Sequence, residues 1–163
     1  MYRSVPTPAS LVVSAFDGKV AAYDRSSGQT VWVHEPTAGT ERSFSFRPTH
    51  LAIDGDRVFV LTALRKKAGM LTETMVAEVT ALDYLTGRPL WSRTIDRNQN
   101  PGCPATMLVD GDQVIVVHYD AMLSLSAESG HVLWSRITEH GDGGPHLPAV
   151  EIALPNATSK PLT

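Results

Sequence analysis

Cysteine is nearly absent from this chain, with a single residue, Cys103, among 163. One thiol excludes an intrachain disulfide and any metal site built on several thiolates, and it leaves the redox compartment unmarked. A dominant charge is lacking too. The 14 Lys and Arg against 17 Asp and Glu leave a net charge of -3, with no cluster of five or more like charges. That balance argues against nucleic acid or an anionic membrane surface as the main partner. No apolar run approaches the ~20 residues of a membrane-spanning helix. The N-terminal MYRSVPTPASLVVSAF has neither the long apolar core nor the small-residue cleavage pattern of a signal peptide, so a cytoplasmic location is expected. A Gly-x-Ser-x-Gly elbow, a phosphate-binding glycine loop and a zinc-protease helix are missing as well.

What is present is a repeat. AYDRSSGQTVW (22–32), ALDYLTGRPLW (81–91) and SLSAESGHVLW (124–134) share glycine at the seventh position and tryptophan at the eleventh, and together they use all 3 tryptophans of the chain. Self-similarity of this kind sets the architecture. Matching Gly28, Gly87 and Gly130, Trp32, Trp91 and Trp134, and the small openers Ala22, Ala81 and Ser124 do not arise from three unrelated hairpins. The 42% apolar content suits one domain, taken as residues 1–163, with a sizeable core.

Around each copy the residues alternate as in strands, and Asp-Gly pairs connect them. The third unit, 104–138, reads as four antiparallel strands, here termed A to D: 104–110, 113–119, 121–127 and 131–137. The second, 48–95, reads likewise: 50–54, 57–64, 74–83 and 89–95. The first, 10–35, offers three strands (11–16, 19–24 and 30–35), and its strand A is missing. In the second unit Val58, Val60 and Leu64 alternate with Phe59, Leu61 and Ala63, so strand B is apolar on both faces and its sheet is expected to be covered on both sides. Trp91, Arg93 and Ile95 oppose Ser92 and Thr94 along strand D, as suits an outer strand. The all-β reading is therefore a stack of four-stranded antiparallel sheets. Each repeat ends a strand in Asp or Ser, turns through a glycine able to adopt positive φ, and opens the next strand on an indole that buries ~150–250 Å².

The eleven-residue pattern resembles the blade repeat of the pyrroloquinoline-quinone-like β-propellers, whose tryptophan-docking motif reads Ala-x-Asp-x-x-Thr-Gly-x-x-x-Trp. Ala81, Asp83, Thr86, Gly87 and Trp91 match every named position; the first copy departs only at Ser27, and the third carries Ser124, Ser126 and Ser129. The resemblance spans roughly residues 10–155 and implies a β-propeller fold rather than one activity. It is similar both to quinoprotein alcohol dehydrogenases, which use a calcium-bound quinone, a catalytic Asp and commonly a vicinal disulfide, and to non-catalytic members such as the lipoprotein that helps assemble outer-membrane barrels. No Cys-Cys pair occurs here, so no cofactor is expected and no catalytic residue is carried over.

Propellers close with four to eight blades, and three leave two sheet faces uncovered. The stretch LPAVEIAL (147–154) resembles a further strand A, followed by a tail at 155–163 expected to be mobile. The expected solution is a homodimer in which each chain supplies half of a six-bladed ring and 147–154 completes the partner's first blade. A split propeller completed by another polypeptide is the alternative, as is a piece of a longer gene product, although Met1 favours a natural start.

The function expected is that of a non-catalytic scaffold for protein–protein contact and self-assembly, with an enzyme or a small-ligand or metal sensor in the central channel as the alternative. Long connections on a rigid scaffold are the usual binding surfaces. That points to Arg42 and its neighbours Phe44 and Phe46 in the 36–49 crossover, and to Lys66, Lys67 and Met70 in an expected loop at 65–73. His140, Asp142 and His146 are a weaker metal candidate in a Gly-Pro-rich connector. His118 reads as a structural histidine rather than a channel base.

Overall fold

A computed structural model describes residues 10–16, 18–35, 49–67, 73–99, 105–118 and 121–137. These form eleven strands: β1 (Leu11–Phe16), β2 (Lys19–Asp24), β3 (Thr30–His34), β4 (Thr49–Asp54), β5 (Arg57–Lys67), β6 (Glu73–Asp83), β7 (Pro89–Gln99), β8 (Ala105–Asp110), β9 (Gln113–His118), β10 (Ala121–Ser126) and β11 (Val132–Ile137). They build three antiparallel meanders, β1-β2-β3, β4-β5-β6-β7 and β8-β9-β10-β11, here blades 1, 2 and 3. No helix among the described residues is long and apolar enough to cross a membrane. In blade 1, β1 has one paired neighbour, β2, among the described residues. The Cα registers Leu11↔Asp24, Arg57↔Asp83 and Gln113↔Ser126 make β1, β5 and β9 equivalent second strands.

Local chemistry explains the tight corners. Asp54 faces Arg57 and Asp110 faces Gln113 across two-residue turns whose first residues, Gly55 and Gly111, both sit at φ 57°. An L side chain rarely adopts this left-handed conformation, and glycine adopts it without steric penalty. The expected long loop at 65–73 is shorter in fact. The β5–β6 ladder continues through Lys66↔Thr74 to Lys67↔Glu73, because no glycine or proline interrupts the chain between Arg57 and Ala68 and both flanks keep pairing. Strand β7 likewise extends beyond the expected end at 95, to Gln99.

The two faces of blade 2 carry the core. Val58 and Val60 pack with Val20, Ala22, Trp32, Leu82 and Tyr84 at the blade 1–2 junction. Phe59 and Leu61, alternating with them, pack with Ala77, Val79, Ile95, Val114, Val116 and Leu125 at the blade 2–3 junction. A strand buried on both faces needs apolar residues at consecutive positions, and Val58 to Leu61 are all buried. Outer strands β7 and β11 are mostly exposed.

Candidate interaction surface

The site is built from the turn between the third and fourth strands of each blade. In all three blades the glycine N–H donates to the carbonyl four residues earlier, at the turn's start: Gly28 to Asp24, Gly87 to Asp83 and Gly130 to Ser126, each at 2.8 Å. Side chains tighten the first two turns. Asp24 Oδ1 accepts from the Ser26 hydroxyl (2.6 Å) and from the Ser27 N–H (2.8 Å) and hydroxyl (2.9 Å). Asp83 Oδ1 accepts from the Thr86 hydroxyl (2.6 Å) and N–H (2.8 Å). The Ser26 hydroxyl, and after it the Ser27 N–H and hydroxyl, lower the Asp24 carboxyl to about 2. The Thr86 hydroxyl is the main cause of a lowered Asp83.

A second set of bonds joins each such turn to the turn before the blade's second strand: Arg25 N–H to Ser10 O, Tyr84 N–H to Asp56 O and Ala127 N–H to Asp112 O, each 2.8 Å. One rim of the molecule is thus a row of interlocked turns, and its glycines face the preceding blade. Trp32 of blade 1 lies on Gly87 of blade 2, where a Cβ would come within 2.5 Å of the ring carbon Cδ2. Trp91 of blade 2 lies on Gly130 of blade 3 in the same way, 2.5 Å from a Cβ to Cε3. Each indole N–H donates to a carbonyl of the next turn, Trp32 to Tyr84 O (2.9 Å) and Trp91 to Ala127 O (3.0 Å). Phe59 adds a tilted ring contact to Trp91 at 6.0 Å between centroids. The small residues Ala22, Ala81 and Ser124 sit directly across from Trp32, Trp91 and Trp134, leaving the ring its space.

Among the described residues the series runs from Gly28 to Trp134. Nothing among the described residues lies within 4 Å of a Cβ placed on Gly28. At the other end, Trp134 lies opposite Ser124 on β11, and among the described residues its indole has no hydrogen bond like those of Trp32 and Trp91. The blade 1 face turned away from blade 2 is open as well. Leu11, Val13 and Ala15 pack toward blade 2, so Val12 and Phe16 alternate to the other side, where they are 50% and 75% exposed. Their equivalents at the two formed junctions, Val58 and Thr62 in blade 2 and Val114 and His118 in blade 3, are buried. Tyr23, half-buried, stands where Leu82 and Leu125 are fully enclosed.

Of the residues singled out in the sequence, Lys66 and Lys67 lie on strand β5 rather than in a loop. Arg42, Phe44, Phe46, Met70, His140, Asp142 and His146 lie outside the described residues, as do 147–154 and the 155–163 tail. His118 is wholly buried at the end of β9, opposite Ala105 and Ala121. Burial lowers His50 below its ordinary value, an effect partly offset by the Ala105 backbone. Sequence reasoning missed Val12 and Phe16 as surface residues. The available signal was their place in β1, a second strand that must be apolar on both faces only if a blade covers each.

Comparison with known proteins places this geometry. Residues 4–161 match the family model described as outer membrane protein assembly factor BamB. No curated protein matches the chain. Among solved structures, BamB from Moraxella catarrhalis is similar at 25% identity and a TM-score of 0.51, over 78% of this chain and 33% of that one. The quinohemoprotein alcohol dehydrogenase ADHIIG from Pseudomonas putida HK5 is similar at 14% identity and a TM-score of 0.58, over 78% of this chain and 25% of that one; at that identity the likeness shows the fold alone. The chain therefore spans between a quarter and a third of the length of these two structures. With repeated Trp-on-Gly junctions between antiparallel blades and a match running over nearly all its residues, this β-propeller chain belongs to the outer membrane protein assembly factor BamB family.

Proposed function

We propose that the chain is a non-catalytic propeller scaffold that works by protein–protein contact, and that its first contact is with itself, as two copies sharing one six-bladed ring. The observation that carries this reading is the open face of blade 1. Val12 and Phe16 occupy positions that are buried at both formed junctions, yet here they are 50% and 75% exposed. An apolar sheet face built for burial and left open marks an interaction surface. The matching family is described as an outer membrane protein assembly factor, which supports a binding role over a chemical one. So does the use made of Asp24 and Asp83: hydroxyls and N–H groups of their own turns hold both carboxylates ionised, which suits a structural cap and not a proton donor.

The test is solution mass by light scattering on the chain purified alone, across a dilution series. The expected mass is twice 17.6 kDa, and Phe16→Glu, which puts a charge on an exposed position without disturbing the core, returns the protein to 17.6 kDa. A soluble monomer in the unaltered protein defeats self-association. Thermal melts of the same samples with calcium and a soluble quinone are expected to be unchanged, and a clear stabilisation would favour a channel enzyme or sensor.

A further inference from the structure

We infer that the junction between blades 2 and 3 is a pH-sensitive joint, in which protonation of His50 and His118 loosens the packing of blade 3 on blade 2 in mildly acid surroundings. Both groups belong to one chain, so the joint works whether or not the chain self-associates.

The ladders bring the two imidazoles to one place. His50 pairs with Leu61, and Leu61 belongs to the blade 2 face that packs on blade 3. His118 follows Val114 and Val116 along β9 at two-residue spacing, and both valines pack on blade 2. The backbone of Ala105 acts on His50, and Ala105 is the ladder partner of His118. The two histidines therefore stand on facing sheets beside the same small residue. His118 is wholly buried. Burial is also the main influence on His50, holding its imidazole below the ordinary value. At the blade 1–2 junction the place of His118 is taken by Thr62, which is buried and has no proton to gain in this range.

The charged groups of the two sheets are placed as follows. On the blade 2 face toward blade 3, Asp54, Arg57 and Asp83 lie at the opposite end of the strands, and Arg93, across from Val79, is exposed. Glu78 and Asp96 pair with Thr62 and Val76, positions of the face turned to blade 1. On blade 3 the ladder partners of His118 are Ala105 and Ala121, with Ile137 across from Ala121 and Asp110 at the opposite end of β8. Beyond Thr62, β5 runs on through Arg65, Lys66 and Lys67 beside Glu73 of β6. The first proton taken up puts a charge into a packed apolar junction next to another imidazole, and a second adds like-charge repulsion. His34 at the other junction differs, because burial lowers it while Glu78 opposes the shift and offers an imidazolium its counter-charge. A histidine of the opened chain takes its proton near pH ~6.5, whereas His50 in the closed junction takes it only at lower pH. The joint is therefore at full strength above that value and weakens as the pH falls below it.

Two indoles read the two junctions separately, since Trp91 donates to Ala127 of blade 3 and Trp32 to Tyr84 of blade 2. Hydrogen exchange of both indole N–H signals, each referred to free indole at the same pH, is compared at about pH 7.5 and about pH 5.5 at one protein concentration. Protection of Trp91 is expected to fall about 10-fold for each histidine that the closed junction keeps uncharged over one pH unit below ~6.5, and protection of Trp32 to fall less. His50→Gln and His118→Gln each remove about one such 10-fold step, and His131→Gln, at an exposed turn position of blade 3, removes none. His50 is half-buried, so His50→Gln tests the joint even where His118→Gln fails to fold. Equal falls at the two indoles, or a fall at Trp91 that His50→Gln leaves intact, overturn the joint. Neither result bears on self-association, which the dilution series decides.

Discussion

Gly87 shows how much one residue decides. A side chain there must adopt φ 67° and must also share space with the ring of Trp32, whereas at Gly55 only the φ of 57° opposes it. Gly87→Ala is therefore expected to lower unfolding stability by about 3 kcal/mol or more, and Gly55→Ala by about 1 kcal/mol, as measured by urea denaturation. Equal losses would mean that backbone strain alone is at work. The carboxylates of the same turns predict an acid response. Asp24 and Asp83 are lowered in the folded chain by their own hydroxyl donors, so their contribution is complete above the ordinary carboxylate value of ~3.9 and is lost as pH falls through the folded values, about 2 for Asp24. Replacing both with Asn is expected to flatten the fall in stability between about pH 4 and pH 2, measured by denaturation at fixed pH. The turn of blade 3 has Ser126 in this place and adds nothing to that slope.

At the scale of the element, strand B and its hairpin repay attention. Consecutive apolar residues at 58–61 announce burial on both faces, and the two junctions bear this out. Where the hairpin ends is another matter. Residues 65–67 and 73 are polar or small and read as loop by composition, yet their backbones continue the ladder to Lys67↔Glu73, because pairing needs only two flanks free of breakers, not apolar side chains. Hydrogen exchange tests the difference: alternate amides in 65–67 are expected to exchange slowly, as ladder donors do. Uniformly fast exchange there would restore the loop.

For the whole molecule, the relation between neighbouring sheets matters more than any sheet alone. Among the described residues blade 2 packs on blade 1 through one core and on blade 3 through the other, so stability is close to a sum over blades and junctions, and a face without a described neighbour is left unmatched. In blade 1 that face carries Val12 and Phe16. The self-association proposed above predicts a melting temperature that rises with protomer concentration.

The sequence by itself determined the repeat, the strand order within each blade, the turn glycines and the tryptophans, because each rests on short-range rules: alternation, φ requirements and the size of the residue facing an indole. The eleven observed strands fall within or adjoin the segments read from those rules. Only the tertiary structure decided which glycine each tryptophan meets. Trp32 lies on Gly87 and not on Gly28 of its own repeat, a pairing set by how blades stack across the 54 residues of intervening chain. It also decided which apolar face is left open, since Val12 and Val58 occupy equivalent places in equivalent strands and differ only in whether a preceding blade stands against them. Periodicity marks a residue as able to be buried, and the presence of a neighbour determines whether it is.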